Sequence, residues 1–446
     1  MLVEFSVENY RSIAEKQTLS MVASSEKNLL DNTFTVTNSD NLKLLKSAVI
    51  YGANASGKTN ILRGLSVLKE LVLNSATRLQ VNDKLAVVPF KLNQEWRQKI
   101  TRFEIIFIQK EVKYEYQLSL DLNRIYEESL LAYPNGRKQT WYSRKFDKHT
   151  NEYRWRFSSN LKGAKERIKN FVRPNSLFIS HAAQNNHEQL TVVFNWFIGK
   201  LLIQEIDNLR NFNFYKTAFL SQVHEEFINL INIFLKTADL GIDGIKIIKK
   251  EKSTNPFDIQ IKSNSPLKLY ILNALKDFIE QNPSSFTNEF ETYNIKTLHK
   301  INENNQMIEF DLNEESSGTQ KIFLILGELI YSLLTNAIFV IDELEASLHP
   351  ALAKMIAQIF KTQIFIEKIL FNENESSQLI FTTHDTTLLD KEIFRRDQIW
   401  FTEKNEHGAT ELYSLVEFEE IENESLQKGY LQGRYGAIPF IGEFQF

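Results

Sequence analysis

The stretch "SAVIYGANASGKTNILRGL", residues 47–65, decides the fold of this chain. An apolar run leads into a turn with a glycine at each end, and an amphipathic helix pattern follows Lys58 and Thr59. The turn has the spacing G-x-x-x-x-G-K-T. In this pattern the glycines let backbone N–H groups turn inward around an anion, and the helix N-terminus adds partial positive charge. The stretch therefore predicts a strand, a phosphate-binding loop and a helix.

The loop predicts a set of nucleotide contacts. We expect Lys58 to bridge the β- and γ-phosphates and Thr59 to bind Mg²⁺ through its hydroxyl. The other residues expected around the phosphates are Gly52, Asn54, Ala55, Ser56, Gly57 and Asn60. A chance match in a glycine-rich turn is the competing interpretation, and the flanking strand and helix weigh against it. The predicted cofactors are ATP and Mg²⁺.

A second apolar run, in "AIFVIDELEASLHP", ends in Asp342 and Glu343. A carboxylate at the end of a buried strand is costly unless it has a partner, and a magnesium ion supplies one. We expect Asp342 to orient the Mg²⁺ shell and Glu343 to polarise the attacking water. The alternative is an acidic pair that caps the next helix.

A third run, in "QLIFTTHDTTLLD", ends in His384. A neutral imidazole at this position is suited to contact a γ-phosphate or the attacking water. A hydrogen-bonded surface histidine is the simpler alternative. The order of the three runs along the chain favours the functional interpretation.

Composition limits the class of protein. The chain has 446 residues, a net charge of −4 and no cysteine. Disulfides and thiolate metal sites are therefore excluded, and a strongly basic nucleic-acid coat is disfavoured. No run reaches the ~18 apolar residues of a membrane span, and the N-terminus lacks the pattern of a signal peptide. We expect a cytoplasmic protein that is not bound to a membrane.

The alternation of strands and helices predicts an α/β fold. We expect a mixed or parallel sheet flanked by helices and built from both ends of the chain, an antiparallel β subdomain and a mainly helical insertion. The expected domains are an N-terminal half (1–187), the insertion (188–310) and a C-terminal half (311–446). Within them "AVVPFKL" and "SLFISHAA" are predicted as strands, and "VVFNWFIGKLLIQEI" as a helix.

With these motifs in this order, the chain resembles the ABC-type ATPases of the SMC, RecF and OLD group, within the AAA family. "EESSGTQKIFLILGELI" is similar to the signature of that group, with Ser316 and Thr319 where the group has Leu and a second Gly. The resemblance implies an ABC-ATPase-type head in which one segment faces the γ-phosphate of a neighbouring subunit. Its residues are Ser317, Gly318, Thr319 and Gln320. An ordinary helix N-cap by Ser316 or Ser317 is the alternative.

Further segments resemble the same group. The resemblance implies that Arg11, in "NYRSI", contacts a nucleotide phosphate or base. It also implies that Gln184 is the Q-loop glutamine, which senses Mg²⁺ and the γ-phosphate, and that Ser347 belongs to the D-loop. The tail "YLQGRYGAIPFIGEF" is similar to that of the OLD-like ATPases of abortive-infection and antiphage systems, the RloA and AbiL type.

The resemblance implies an ATPase switch. Two subunits, in a homodimer or a higher oligomer, would sandwich two ATP molecules and control a separate effector, a nuclease, in antiphage defence. The residues after His384 are too few for a Toprim domain, so we expect no nuclease in this chain. A RecF-like DNA-binding ATPase in repair and a scaffold that binds ATP without hydrolysis are the alternatives. The basic segments "GIKIIKKEK" and "GRKQTWYSRKFDK" are predicted as solvated faces, with a nucleic-acid groove as the competing interpretation.

Overall fold

The computed structural model describes residues 1–36, 42–204, 225–249, 293–301, 306–346, 348–362, 376–419 and 425–439. The helices are α1 (Lys58–Asn74), α2 (Lys165–Lys169), α3 (Phe178–Gln184), α4 (Glu188–Gly199), α5 (Glu225–Thr237), α6 (Ser317–Leu334), α7 (Pro350–Thr362) and α8 (Leu426–Leu431). The first ten strands are β1 (Leu2–Glu8), β2 (Gln17–Ser20), β3 (Thr33–Thr35), β4 (Lys43–Leu45), β5 (Ser47–Gly52), β6 (Thr101–Gln109), β7 (Val112–Leu120), β8 (Ile125–Tyr133), β9 (Gln139–Asp147) and β10 (Glu152–Phe157). The others are β11 (Leu201–Gln204), β12 (Gly244–Lys249), β13 (Tyr293–Lys300), β14 (Met307–Asp311), β15 (Ile338–Ile341), β16 (Gln378–Thr382), β17 (Ile399–Lys404) and β18 (Thr410–Ser414).

A six-stranded sheet forms the centre of the molecule. Its order is β11-β15-β16-β5-β17-β18. The first five strands are parallel, and β18 lies antiparallel to β17 at the edge. Strand β5 comes from the N-terminal part of the chain and lies between two strands from the C-terminal part. The predicted α/β fold, with a mixed sheet built from both ends of the chain, is confirmed.

Helices cover both faces of this sheet because alternate residues of each strand point to opposite sides. Ala48 and Ile50 of β5 belong to one buried cluster, which includes the apolar side of α1. Val49 and Tyr51 belong to the other, which includes residues of α6 and α7. The sheet is therefore buried on both faces, as a parallel sheet requires.

A second sheet forms the predicted antiparallel subdomain. Its order is β10-β9-β8-β7-β6-β1-β2, and every neighbouring pair is antiparallel. Strands β6, β7 and β8 follow one another in this sheet as a meander. The strand predicted for "AVVPFKL" is wrong, because that segment forms no strand. Pro89 lacks the N–H that a ladder needs, and the carbonyl of Val88 instead accepts the N–H of Arg11 at 2.7 Å.

Two further predictions of local structure are wrong. The segment that contains "FISHAAQ" is helix α3 rather than a strand. The carboxylate of Glu128 accepts the N–H groups of Phe178 and Ile179 at 2.8 and 3.1 Å and so caps this helix. "LLIQ" is strand β11 rather than the end of a helix, because it pairs with β15 in the central sheet.

The predicted insertion is only partly described. Helix α4 and strand β11 fall inside its predicted range, yet they pack in the core beside α1 and β15. We therefore propose that the insertion begins after Gln204 rather than at residue 188, and the other boundary stays a prediction. The described part of the insertion contains α5 and the antiparallel sheet β12-β13-β14, whose last strand ends at Asp311. Among the helices described, none has the length and apolar character needed to cross a membrane.

Candidate nucleotide site

The predicted phosphate loop lies between the end of β5 and the start of α1. Its backbone is left-handed at Gly57, with φ of 116°. A Cβ on Gly57 would lie 2.6 Å from Thr410 Cγ2, and one on Gly52 would lie 2.5 Å from Thr402 Oγ1. The β17–β18 hairpin thus packs closely against the loop at both glycines. Only glycine fits at both positions, because any side chain would overlap this hairpin.

Hydrogen bonds fasten the loop to its surroundings. Ser56 Oγ lies 2.6 Å from Thr402 Oγ1, and Thr410 Oγ1 donates to the carbonyl of Ser56 at 2.8 Å. Ser12 Oγ lies 2.8 Å from Thr410 Oγ1 and accepts from Asn60 Nδ2 at 2.7 Å. The segment "NYRSI" therefore contacts the first turn of α1 directly and is connected to the loop through Thr410.

Arg11 lies beside this network. Its side chain is exposed, and its Nε donates to Tyr10 Oη at 3.0 Å. Its guanidinium lies 5.6 Å from the centre of the Tyr10 ring. The structure therefore brings Arg11 close to the start of α1 through its neighbour Ser12. Asn54 and Ala55 are exposed at the outer rim of the loop.

Lys58 is buried inside the loop. Its Nζ donates to the carbonyls of Gly52 and Ala53 at 2.8 and 3.2 Å. Burial lowers the pKa of Lys58. Three carboxylates oppose that shift in pKa, and they belong to Asp342, Glu343 and Glu345. The ammonium is therefore held against weak neutral acceptors, which the charged oxygens of a phosphate would surpass.

Strand β16 connects the predicted acidic pair to the central sheet. Thr382 Oγ1 donates to Asp342 Oδ1 at 2.5 Å and accepts the N–H of Glu343 at 2.7 Å. The Thr382 carbonyl accepts the N–H of Leu344 at 3.1 Å. Glu343 has φ of 50°, a left-handed conformation that residues with a side chain rarely adopt. The Thr382 hydroxyl thus fixes one carboxylate and the backbone of the other residue.

His384 follows the end of β16 on the same edge of the sheet. Its main-chain N–H donates to Glu345 Oε1 at 2.5 Å, while its side chain is exposed. Partial desolvation and the charge of Lys58 lower the pKa of His384. Both causes favour the neutral form of the imidazole. Tyr51 Oη donates to the carbonyl of Asp385 at 3.1 Å and ties this loop to β5.

The signature-like segment forms the start of α6. Ser316 is the N-cap, since its Oγ accepts the N–H of Thr319 at 3.1 Å, and the predicted contact of Ser317 and Gly318 with a second subunit stays a prediction. Thr319 is buried and Gln320 Nε2 donates to the carbonyl of Glu315 at 2.9 Å. Ser317 remains exposed and Gly318 partly so. The helix N-terminus is thus capped by Ser316, and the side chain of Ser317 is exposed to solvent.

One contact joins this helix to the acidic loop of the same chain. Lys321, one turn into α6, has its Nζ 3.4 Å from the carbonyl of Glu343. Burial lowers the pKa of Lys321, and the carboxylate of Glu345 opposes that shift. The residue that directly follows the segment predicted to face a neighbouring subunit is therefore in contact with the acidic loop of its own chain.

The family of the chain follows from residues 47–390, which match the model described as "AAA domain, putative AbiEii toxin, Type IV TA system". The chain belongs to this AAA-domain family. The match begins with β5 and ends just past His384, so this AAA domain contains the phosphate loop, the acidic pair and the histidine. No curated protein matches the sequence.

Among solved structures, the AAA domain is similar to heads of SMC proteins. The SMC head domain from Thermotoga maritima has 10% identity and a TM-score of 0.39, over 94% of this chain and 99% of that chain. The SmcHead bound to the C-winged helix domain of ScpA has 14% identity and a TM-score of 0.37, over 93% and 97%. The Smc head domain with an extended coiled coil, bound to the C-terminal domain of ScpA derived from Pyrococcus furiosus, has 13% identity and a TM-score of 0.37. That match covers 97% of this chain and 98% of that chain. The fold class rests on the strand order above.

The structure does not bring Gln184 to the phosphate loop of the AAA domain. Gln184 is the exposed last residue of α3, and Ser180 of that helix bonds to the Val72 carbonyl at 2.5 Å. Val72 lies about 21 Å along α1 from Lys58, whereas Gln184 lies only about 6 Å from Ser180. The predicted Q-loop role of Gln184 therefore conflicts with its position.

Another glutamine, Gln204, lies at the edge of the central sheet beside the acidic pair. It is the last residue of β11 and pairs with Ile341, the residue before Asp342. Its Oε1 is buried and has no hydrogen-bond partner within the described residues. The signal was present in the sequence, since "LLIQ" is a short apolar run that ends in a polar residue, as in the other two strands. Ser347 lies outside the described residues.

The edge of the AAA domain has the donors that Mg²⁺ and a triphosphate need. Magnesium in nucleotide sites uses one or two carboxylates together with phosphate oxygens. Asp342 offers a carboxylate oriented by Thr382, and Thr59 offers a hydroxyl in the first turn of α1. The glycine loop and Lys58 provide the cradle for phosphate. These residues therefore fit both cofactors.

Proposed function

We propose that this protein is an ATPase whose nucleotide-dependent assembly controls a separate effector. The observation that carries the proposal is the link between β15 and β16, in which Thr382 fixes Asp342 and Glu343 beside the loop of Lys58. A carboxylate pair held in this way, next to a cradle shaped for phosphates, suits cleavage of a phosphoanhydride. A purely structural nucleotide site would need no second carboxylate.

The chain's residues divide the chemistry between them. Lys58 exchanges its carbonyl partners for phosphate oxygens, and the loop N–H groups bind the same phosphates. Asp342 and Thr59 would hold Mg²⁺, which would neutralise part of the triphosphate charge. Glu343 accepts a proton from the attacking water. His384, neutral because its pKa is lowered, contacts the γ-phosphate or that water.

Two further groups complete the proposed site. Gln204, at the end of β11, takes the role predicted for Gln184 and would sense the metal and the γ-phosphate. Ser317 and Gly318 at the start of α6 contact the ATP of a second subunit, and the helix N-terminus favours that charge. Arg11 contacts the nucleotide from the side of Ser12. The active form is then a homodimer or a higher oligomer that sandwiches ATP.

The effector is proposed from the resemblance of the tail to that of RloA- and AbiL-type ATPases and from the family description, which names a toxin–antitoxin system. We place the protein in the cytoplasm and propose a nuclease as its separate partner in antiphage defence. A RecF-like clamp would instead bind DNA directly. ATP-stimulated, salt-dependent binding of duplex DNA by the purified protein would favour that alternative.

The test is the variant Glu343→Gln, with Glu392→Gln, an exposed acid, as its matched control. Removing a general base lowers such rates about 10²–10⁴-fold, so we expect phosphate release to fall by at least about 100-fold. The variant should retain ATP and accumulate as an ATP-bound oligomer, measured as mass in solution. Unchanged phosphate release in Glu343→Gln would contradict the proposal.

A further inference from the structure

Glu345 lies between the acidic loop and the loop of His384. Its Oε1 accepts the main-chain N–H of His384 at 2.5 Å, from a residue 39 positions later in the chain. Its Oε2 is buried and has no hydrogen-bond partner within the described parts of the chain. A capping carboxylate would bind the N–H groups of its own turn, whereas Glu345 binds an N–H in the loop that follows β16.

The position of this carboxylate is central to the site. Its charge acts on Lys58 in the phosphate loop, on Lys321 in α6 and on the imidazole of His384, and in each case opposes the lowering of the pKa by burial. Each of these groups comes from a different element. Asp342 and Glu343 act on the same three groups, and Glu345 differs from them in its hydrogen bond to the main chain of His384.

We propose that Glu345 is a positioning residue that holds the backbone of His384 against the loop of Asp342 and Glu343. This inference rests on the proposed ATPase function. Together with the Thr382 contacts, it gives the two loops a second connection, beyond the end of β16. The imidazole then keeps a fixed distance from Glu343 while nucleotide enters and leaves.

The consequence is a separation of binding from hydrolysis. The loop N–H groups and Lys58 bind phosphate without help from Glu345, so nucleotide affinity should not depend on its contact with His384. A lost hydrogen bond to a charged group changes an equilibrium by roughly tenfold or more. Without the carboxylate, His384 should leave its working position for most of the time, and kcat should fall while affinity stays.

The first measurement uses the nucleotide-free protein and amide hydrogen exchange over residues 382–386. In Glu345→Ala we expect exchange at His384 to rise about tenfold or more, because its N–H loses its acceptor. In Glu345→Gln the amide oxygen can accept the same bond, and exchange should stay close to wild type. Glu417→Ala is the matched control, since Glu417 accepts the Ser414 N–H at 2.9 Å elsewhere in the fold.

The second measurement is ATP turnover of the same variants. We expect kcat of Glu345→Ala to fall about tenfold with nucleotide affinity within about threefold, and Glu345→Gln to recover most of the rate. Unchanged exchange at His384, or equal losses of affinity and kcat, would overturn the inference. If Glu345→Ala shows the expected rise in exchange but the wild type releases no phosphate, the proposed function is overturned, and with it the role of Glu345 in hydrolysis. The contact between Glu345 and His384 would then still stand.

Discussion

Two carboxylates, one in each sheet region, show how differently this chain treats buried charge. Glu128, inside the antiparallel subdomain, is fully buried and uses both of its oxygens. Its partners are Tyr116 Oη, Tyr142 Oη and the N–H groups of Phe178 and Ile179, with Arg144 3.8 Å away. Glu345, at the nucleotide edge, uses one oxygen and leaves the other without a partner within the described residues.

The difference separates a structural charge from one at a working site. Burial raises the pKa of Glu128, and the charge of Arg144 with the hydrogen bonds from Phe178, Ile179 and Tyr142 opposes that rise. Such a closed network fixes one arrangement, because every partner would be left unsatisfied by a movement. At the nucleotide edge, by contrast, some acceptors and cations have weak partners or none within the described residues, so a ligand can bind them. Lys58, bonded to two neutral carbonyls, is the clearest case.

The largest effect is expected where the closed network is broken. Glu128→Ala would leave the Arg144 charge buried without its carboxylate and would remove the cap of α3. Such changes cost about 3–5 kcal/mol in the free energy of unfolding. The measurement is urea denaturation followed by tryptophan fluorescence. Glu127→Ala, an exposed neighbour, is the control and should cost less than about 1 kcal/mol. Equal losses in the two variants would contradict this account.

The opposite pattern is expected for Lys58→Met. ATP affinity should fall about 100-fold, equivalent to about 2.7 kcal/mol, because the phosphates lose their buried cation. The free energy of unfolding should change by less than about 1 kcal/mol, because removing the buried ammonium relieves its desolvation cost and so offsets the loss of its two hydrogen bonds to carbonyls. Titration with ATP and urea denaturation measure the two quantities, with the exposed Lys145→Met as control. A variant that binds ATP as tightly as wild type would contradict the assignment of the loop.

A smaller effect concerns pH. Burial, with Arg173 and Arg144 nearby, lowers the pKa of His181 to about 4, and its Nε2 lies 2.8 Å from Ser176 Oγ. The unfolded chain binds this proton near pH 6.5, so stability should decrease as pH falls from about 6.5 towards 4, by about 2 kcal/mol. His181→Gln should remove this part of the pH dependence. Denaturation at pH 7.5 and 4.5 tests it, and parallel losses in both proteins would refute it.

The same comparison explains where sequence reasoning succeeded. The loop, β5 and α1 depend on neighbours in the chain, and glycines, an apolar run and helical spacing identify them. The segment of α3 has no side-chain cap of its own, and its cap comes from Glu128, 50 residues earlier. A strand was predicted there because no local residue indicates that cap.

Contacts between distant strands account for the other omissions at the site. "LLIQ" forms a strand only because β15 lies beside it, so Gln204 was hidden within a predicted helix. Thr382 and Glu345 were not singled out, since each acts through a partner about 40 positions away. Residues that bind phosphate are found by motif, whereas residues that hold two loops together become visible only when the strands are in place.

The place of β5 in the central sheet also has a consequence for folding during synthesis on the ribosome. Its neighbours are β16 and β17, which leave the ribosome about 330 residues later, or roughly 15–70 s at ordinary rates of synthesis. During that interval the glycine loop has no Thr402 or Thr410 behind it, and Asp342 has no Thr382 to fix its carboxylate. A nascent chain therefore carries the sequence of a nucleotide site long before it can hold a nucleotide. Ribosome-bound fragments that end before β16 should show no ATP binding at all.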